Sequence, residues 1–166
     1  MHRPVAAWRG AVAIAIALIA GLLVSACSSG SSGSAAPTGT AAEIAQKVFD
    51  EAKVEPFGET RTLETPEDIA FFLGSTNYPP FVDTAVVQPM ISIDARILYV
   101  LEVASEQEAA DVVKQLETDV DPNKLICVTF TMDDVVIDSR GTVVFMVIDS
   151  KAEERDALAN AFKTIS

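Results

Sequence analysis

Apolar and polar positions follow two different periods along this chain, and each change of period marks an element. Residues 10–24 are apolar without interruption and follow His2, Arg3 and Arg9. A basic end, an apolar core and then small residues is the order of a secretory signal. The apolar stretch is shorter than the roughly 20 residues a spanning helix needs, and no basic cluster follows it to stop transfer. Residues 28–39 hold no large apolar side chain and read as a flexible Ser/Gly tether.

Helical spacing begins at Thr40. Ile44, Val48 and Ala52 recur at that spacing with Phe49 beside them, behind Thr40 and Glu43 in capping-box register. A helix is predicted over 41–53, ended by Pro56 and Gly58. Thr65, Pro66 and Asp68 start a second, shorter helix that Gly74 closes after Phe71-Phe72-Leu73. Asn77-Tyr78-Pro79-Pro80-Phe81 is predicted as a loop or extended segment, because consecutive prolines fit neither a helix nor a central strand.

The pattern then turns to β, with strands predicted over 84–89 and 96–103. Ser105 and Glu108 form a second capping box for a helix reaching about residue 120, with Val112, Val113 and Leu116 as its buried stripe. Strands follow over 124–131 and 135–139, separated by Met132-Asp133-Asp134. Arg140-Gly141 turns the chain into a last strand over 142–148. Ser150 and Glu153 supply a third capping box for a terminal helix whose apolar face is Ala157, Leu158, Ala161, Phe162 and Ile165.

This order predicts an α+β fold: an antiparallel sheet of four to five strands with helices packed on one face. The stretches 99–116 and 144–161, 45 residues apart, share a strand, a capping serine, a glutamate and an apolar helix face. Two hairpin-plus-helix units are one reading of this. The other is that any two strand-to-helix junctions look alike.

Val24-Ser25-Ala26-Cys27 looks like a lipobox, with an aliphatic residue, two small residues and a cysteine. Cleavage between Ala26 and Cys27 would leave Cys27 as the lipid-bearing first residue. Two or more acyl chains, at about 0.8 kcal/mol per buried methylene, hold a protein at a membrane effectively permanently. The expected organisation is a signal peptide over 1–26, a lipidated cysteine and tether over 27–40, and a single domain over 41–166. The expected location is the extracytoplasmic face of a cell membrane. Ser28 is not an aspartate retention signal, so a two-membrane cell would send the protein to its outer membrane.

Alongside the lipobox, several apolar segments carry a resemblance. They are Ala42-Glu43-Ile44-Ala45, Val86-Val87-Gln88-Pro89-Met90, Arg96-Ile97-Leu98-Tyr99-Val100 and Val144-Phe145-Met146-Val147-Ile148-Asp149. Their order resembles a family of small bacterial lipoproteins that carry a domain of unknown function. Arg96 after Asp94 departs from the acidic residue at the start of that strand in the family. The resemblance implies an envelope lipoprotein and no particular activity.

Charge narrows the partners. Removing residues 1–26 takes away two of the 12 basic side chains and none of the 24 acidic ones, leaving −14. Such a chain does not attract nucleic acid or an anionic membrane surface. With Cys27 consumed by lipid, Cys127 has no intramolecular partner, and within Leu125-Ile126-Cys127-Val128 it reads as a small core residue.

Candidate chemistry is sparse. His2 is the only histidine, so the mature chain has no imidazole for a general base or a zinc site. Asp119-Val120-Asp121-Pro122-Asn123 begins like a calcium loop, but Lys124 stands where glycine is required and Phe130 where glutamate is. There is no glycine-rich phosphate loop, and no metal or cofactor is expected. Asp133, Asp134 and Asp138 are the candidates for a carboxylate pair, which would make an acid-dependent envelope hydrolase. Aspartates at such a turn are also favoured for backbone reasons.

Tyr78, Pro79, Pro80 and Phe81, with Phe71 and Phe72 nearby, have the ingredients of a rigid recognition loop. They equally fit a core pair followed by prolines that route the chain onto the sheet. The leading expectation is a non-enzymatic binding or accessory module for an envelope protein or peptide. The alternatives are the hydrolase and a binding protein for a cationic small ligand.

Overall fold

Two strands of this chain are buried at almost every position rather than at every second one, and that decides the layering. Ile97-Leu98-Tyr99-Val100-Leu101 is buried without a break, and so are all seven residues of Val143–Asp149. Continuous burial of this kind belongs to strands covered on both faces. The computed structural model describes residues 35–91, 95–122 and 129–166.

The elements are α1 (Ala41–Ala52), β1 (Glu59–Arg61), α2 (Pro66–Leu73), β2 (Asp83–Gln88), β3 (Arg96–Glu102), α3 (Glu106–Asp119), a 3-10 turn (Met132–Asp134), β4 (Val135–Arg140), β5 (Val143–Asp149) and α4 (Ala152–Thr164). The strands form one sheet in the order β1-β2-β3-β5-β4, with every neighbouring pair antiparallel. The fold is α+β. Among the described residues no helix is long and apolar enough to cross a membrane.

Helices cover both faces, which corrects the expectation of one. The β3–β5 register sets Leu98 opposite Val147 and Val100 opposite Phe145. These join Ala85 and Val87 under α1 and α4, where Ile44, Val48, Phe49, Leu158 and Phe162 close the layer. Phe145 stacks on Phe162 with ring centres 4.7 Å apart. On the other face Ile97, Tyr99, Leu101, Val144, Met146 and Ile148 pack with Leu73 of α2 and Ala109, Val112 and Leu116 of α3. A one-sided sheet would have left one of these two apolar sets in water.

The two hairpin-plus-helix units exist in chain order, as β2-β3-α3 and β4-β5-α4. Tyr99 and Val144, 45 residues apart, share a face. Leu116 and Ala161, also 45 apart, do not. The likeness therefore stops where the helices cross to opposite sides.

Local signals set most of the helix ends. Thr40 accepts the Glu43 amide hydrogen while the Glu43 carboxylate accepts from the Thr40 N–H, and Thr65 with Asp68 does the same for α2. Ser105 accepts from the Glu108 N–H, but the Glu108 carboxylate reaches back to the Ala104 N–H instead of that of Ser105. The third capping box does not form. Lys151 is the N-cap of α4, without a side-chain cap bond, because its ammonium can only donate, and its N–H is taken by the Asp149 carboxylate.

Strand β1 carries no apolar alternation and is exposed throughout, so only its pairing with β2 defines it. Of the strand expected over 124–131, residues 124–128, Cys127 among them, lie outside the described residues. Residues 129–131 lie outside the sheet, and Thr131 begins the 3-10 turn. The β4–β5 connection is Gly141-Thr142, with Gly141 in the left-handed region at φ 58°.

The signal segment and Cys27 also lie outside the described residues. The described end of the expected tether is packed on the domain. Pro37 is buried, the Ala35 carbonyl accepts from Arg140, and the Thr38 carbonyl accepts from the Lys47 ammonium at 2.8 Å.

Candidate functional site

A cavity of about 190 Å³ lies between the sheet and the C-terminal ends of α2 and α3. Its floor is Ile97 and Tyr99 of β3 with Met146 and Ile148 of β5. The walls are Phe72, Leu73 and Gly74 at the end of α2, Gln88-Pro89-Met90 at the end of β2, Asp119-Val120-Asp121 at the end of α3, and Phe130. Each group arrives there for a local reason. Gly74 takes φ 89° and ends α2, and its N–H closes on the Ala70 carbonyl. Pro89 cannot continue the β2 ladder because it has no amide hydrogen. An apolar cavity of roughly 150 Å³ is known to admit a benzene ring. This one accommodates a single aromatic ring or a short branched chain.

Two tyrosine hydroxyls hold the α2 end over the cavity. Tyr99 donates to the Phe72 carbonyl at 3.4 Å and Tyr78 to the Leu73 carbonyl at 3.1 Å. These carbonyls belong to the last turn of a helix, where intrahelical donors run out. Burial pushes the Tyr99 hydroxyl well above the usual tyrosine range. Burial first, and then the nearby Asp119 carboxylate, do the same for Tyr78.

The sign of the linkage follows. Both hydroxyls titrate near 10.0 in the unfolded chain and higher when folded, so the unfolded state binds fewer protons above that pH. Their stabilisation is complete below pH 10 and declines as pH rises, by about 1.4 kcal/mol per pH unit for each proton. These are the only two tyrosines in the chain. Urea unfolding followed from pH 8 to pH 11.5 should therefore show a fall in stability above pH 10 that Tyr99→Phe makes shallower by one proton.

Apolar surface continues out of the cavity mouth. Phe71 is 64% exposed and Met90 86%, and Ile91 beside Met90 is 75% exposed. Scattered single apolar residues on a surface need no explanation, but large ones gathered at the mouth of a cavity mark a candidate interaction site. Comparisons with family models, curated proteins and solved structures gave no match. Residue roles in this cavity therefore rest on its geometry and chemistry alone.

The recognition-loop residues support the cavity from outside. Tyr78 and Phe81 pack against the same core with ring centres 5.9 Å apart, while Pro79 is half-buried and Pro80 exposed. None of the four lines the cavity. Phe71 and Phe72 divide: Phe72 is half-buried with Arg61 over its ring at 5.8 Å, and Phe71 stands in solvent. Met90 and Ile91 were legible in one respect only, as an apolar pair directly after a strand-ending proline.

The three candidate acids do not line the cavity either. Asp134 accepts from the Thr131 N–H and hydroxyl, and Asp138 accepts from the Ser139 N–H and lies 3.9 Å from the Lys163 ammonium. The backbone carbonyl of Asp133 accepts from Arg155.

Proposed function

We propose that this chain is the precursor of a membrane-anchored extracytoplasmic lipoprotein whose domain is a non-enzymatic binding module. It takes one apolar group of an envelope partner into the cavity between α2, α3 and the end of β2. The observation that carries this reading is the exposed pair Phe71 and Met90 at the mouth of a cavity with the volume of one ring, with exposed Ile91 next to Met90 in the chain. An apolar anchor in a small pocket, ringed by apolar surface, is the usual arrangement of a binding hot spot. The lipobox-like Val24-Ser25-Ala26-Cys27 supports the anchor, and the kinship with small bacterial lipoproteins of unknown function is part of the same proposal.

Indole, a neutral ring of suitable size, tests the cavity directly. Titrated into the isotopically labelled mature chain, it should shift the amide signals of Ile97, Tyr99, Met146 and Ile148 in a saturable way. Unchanged signals at millimolar indole would remove the cavity as a binding site. The anchor is tested separately, since Cys27→Ala should move the protein from the membrane fraction to the soluble fraction or leave it as uncleaved precursor.

A further inference from the structure

The cavity lies at one end of the sheet and the N-terminal segment joins the domain at the other. Ala35 and Thr38 are held by Arg140 and Lys47, the Ala41 N–H donates to Asp83 at the start of β2, and Gly141 sits over Ala36. Asp83, Glu102, Val143 and Arg140 are paired across that end. Gln88, Ile97 and Ile148, which line the cavity, are at the opposite end of the same strands. Seven-residue strands separate the two poles by about 23 Å. A lipid on Cys27, eight residues before Ala35, would hold the first pole within about 28 Å of a membrane, and the mouth of the cavity is at the pole that the tether does not hold.

Charge among the described residues at the mouth is divided between its two sides, with acids at the end of α3 and Arg61 beside Met90 and the Phe72 ring on the α2 side. The last turn of α3 carries Glu117 and Asp119 and no basic residue, and the last turn of α2 has no basic residue either. Acids at a helix C-terminus add to the negative end of the helix dipole. That placement costs a little stability and concentrates negative potential beside Val120 and the exposed Met90. Asp119 accepts from the Gln115 amide and approaches the Tyr78 hydroxyl, both neutral groups. Arg61, over the ring of Phe72 at 5.8 Å, keeps its positive charge on the α2 side, so the α3 end is the side of the mouth that favours a cation.

Building on the binding reading above, we infer that the occupant is a peptide segment of a partner protein that presents one apolar anchor flanked by lysine or arginine, offered to the untethered pole. The anchor fills the cavity, the neighbouring residues cover Phe71 and Met90, and the cations meet Asp119 and the α3 terminus. A small amine would fill the cavity but leave most of that exposed rim uncovered.

The only tryptophan in the chain is Trp8, ahead of the expected cleavage point, so a tryptophan-bearing probe is read without background in the mature protein. The experiment uses the mature chain from residue 27 with Cys27→Ala, and two blocked pentapeptides, Gly-Lys-Trp-Lys-Gly and Gly-Glu-Trp-Glu-Gly. Tryptamine and indole serve as small-molecule arms. Binding is followed by the blue shift of tryptophan emission on entering an apolar site.

The lysine peptide should bind about tenfold tighter than the glutamate peptide at low salt, with the gap closing as salt is raised. Asp119→Asn should reduce that preference about threefold, while Phe71→Ser and Met90→Ser, both at exposed positions, should weaken the two peptides alike. Equal affinity for the two peptides would overturn the charge assignment. Tryptamine binding as tightly as the lysine peptide would make the occupant a small amine instead. If indole shifts the cavity amides while neither peptide binds, this inference fails and the cavity reading stands; if indole also fails, both fall.

Discussion

Replacing Arg140 with alanine is expected to lower the stability of the domain by about 3–5 kcal/mol, measured by urea unfolding. Arg140 is a buried residue at the end of β4, and its guanidinium donates to the carbonyls of Phe162 and Ile165, both at 2.7 Å, and to that of Ala35. The first two carbonyls are at the end of α4, where no further helical N–H is available. One planar cation therefore satisfies the terminus of α4 and pins the incoming N-terminal segment, and its removal leaves buried acceptors unpaired. Arg140→Lys should recover less than half of the loss, because a single ammonium cannot span the same fork of carbonyls. Residues 35–40 should then become cleavable by a protease that leaves the parent protein intact. Wild-type stability in the alanine variant would show that the carbonyls find other donors at no cost.

Arg96→Ala should cost about 3 kcal/mol by the same measurement, through a carboxylate rather than carbonyls. The Asp149 side chain is completely buried, and its Oδ2 accepts from the Arg96 Nε at 3.3 Å across the β3–β5 register. Arg96 also pairs with Glu154 of α4 and lies over the ring of Phe57 at 4.3 Å. Without Arg96, Asp149 keeps only the Lys151 N–H at 2.8 Å among its described partners and remains out of water. Removing both partners as Arg96→Leu with Asp149→Leu should recover much of the loss, since two apolar groups leave no charge to solvate. The coupling read from that double-mutant cycle should be about 2 kcal/mol, and a value near zero would show that the pair adds nothing to the fold.

These two arginines show where sequence reading stops. Arg96 stands out in the sequence as a cation at the start of a strand, but only the register across β3 and β5 supplies Asp149 as its partner, 53 residues away. Arg140 reads locally as part of a turn with Gly141, and the acceptors described for it belong to the end of α4 and to the segment ahead of α1. The cavity is of the same kind. Its lining comes from six separated stretches of chain, and no spacing rule connects Phe72, Pro89, Tyr99, Val120, Phe130 and Met146. The exposure of Phe71 beside a buried Leu73 likewise follows from where α2 sits on the sheet.

What the chain determined by itself is local. Thr40 with Glu43 and Thr65 with Asp68 fix two helix starts because their hydrogen bonds close within four residues, and Gly74 and Gly141 fix two reversals because they adopt positive φ. Unbroken apolar runs such as 97–101 mark strands. The number of covered faces, the crossing of α3 and α4 to opposite sides, the late start of α4 and the placing of a cavity opposite the N-terminal pole were decided by tertiary structure. Each depends on which distant residue satisfies a buried group or fills a volume, and that choice is made when the sheet assembles.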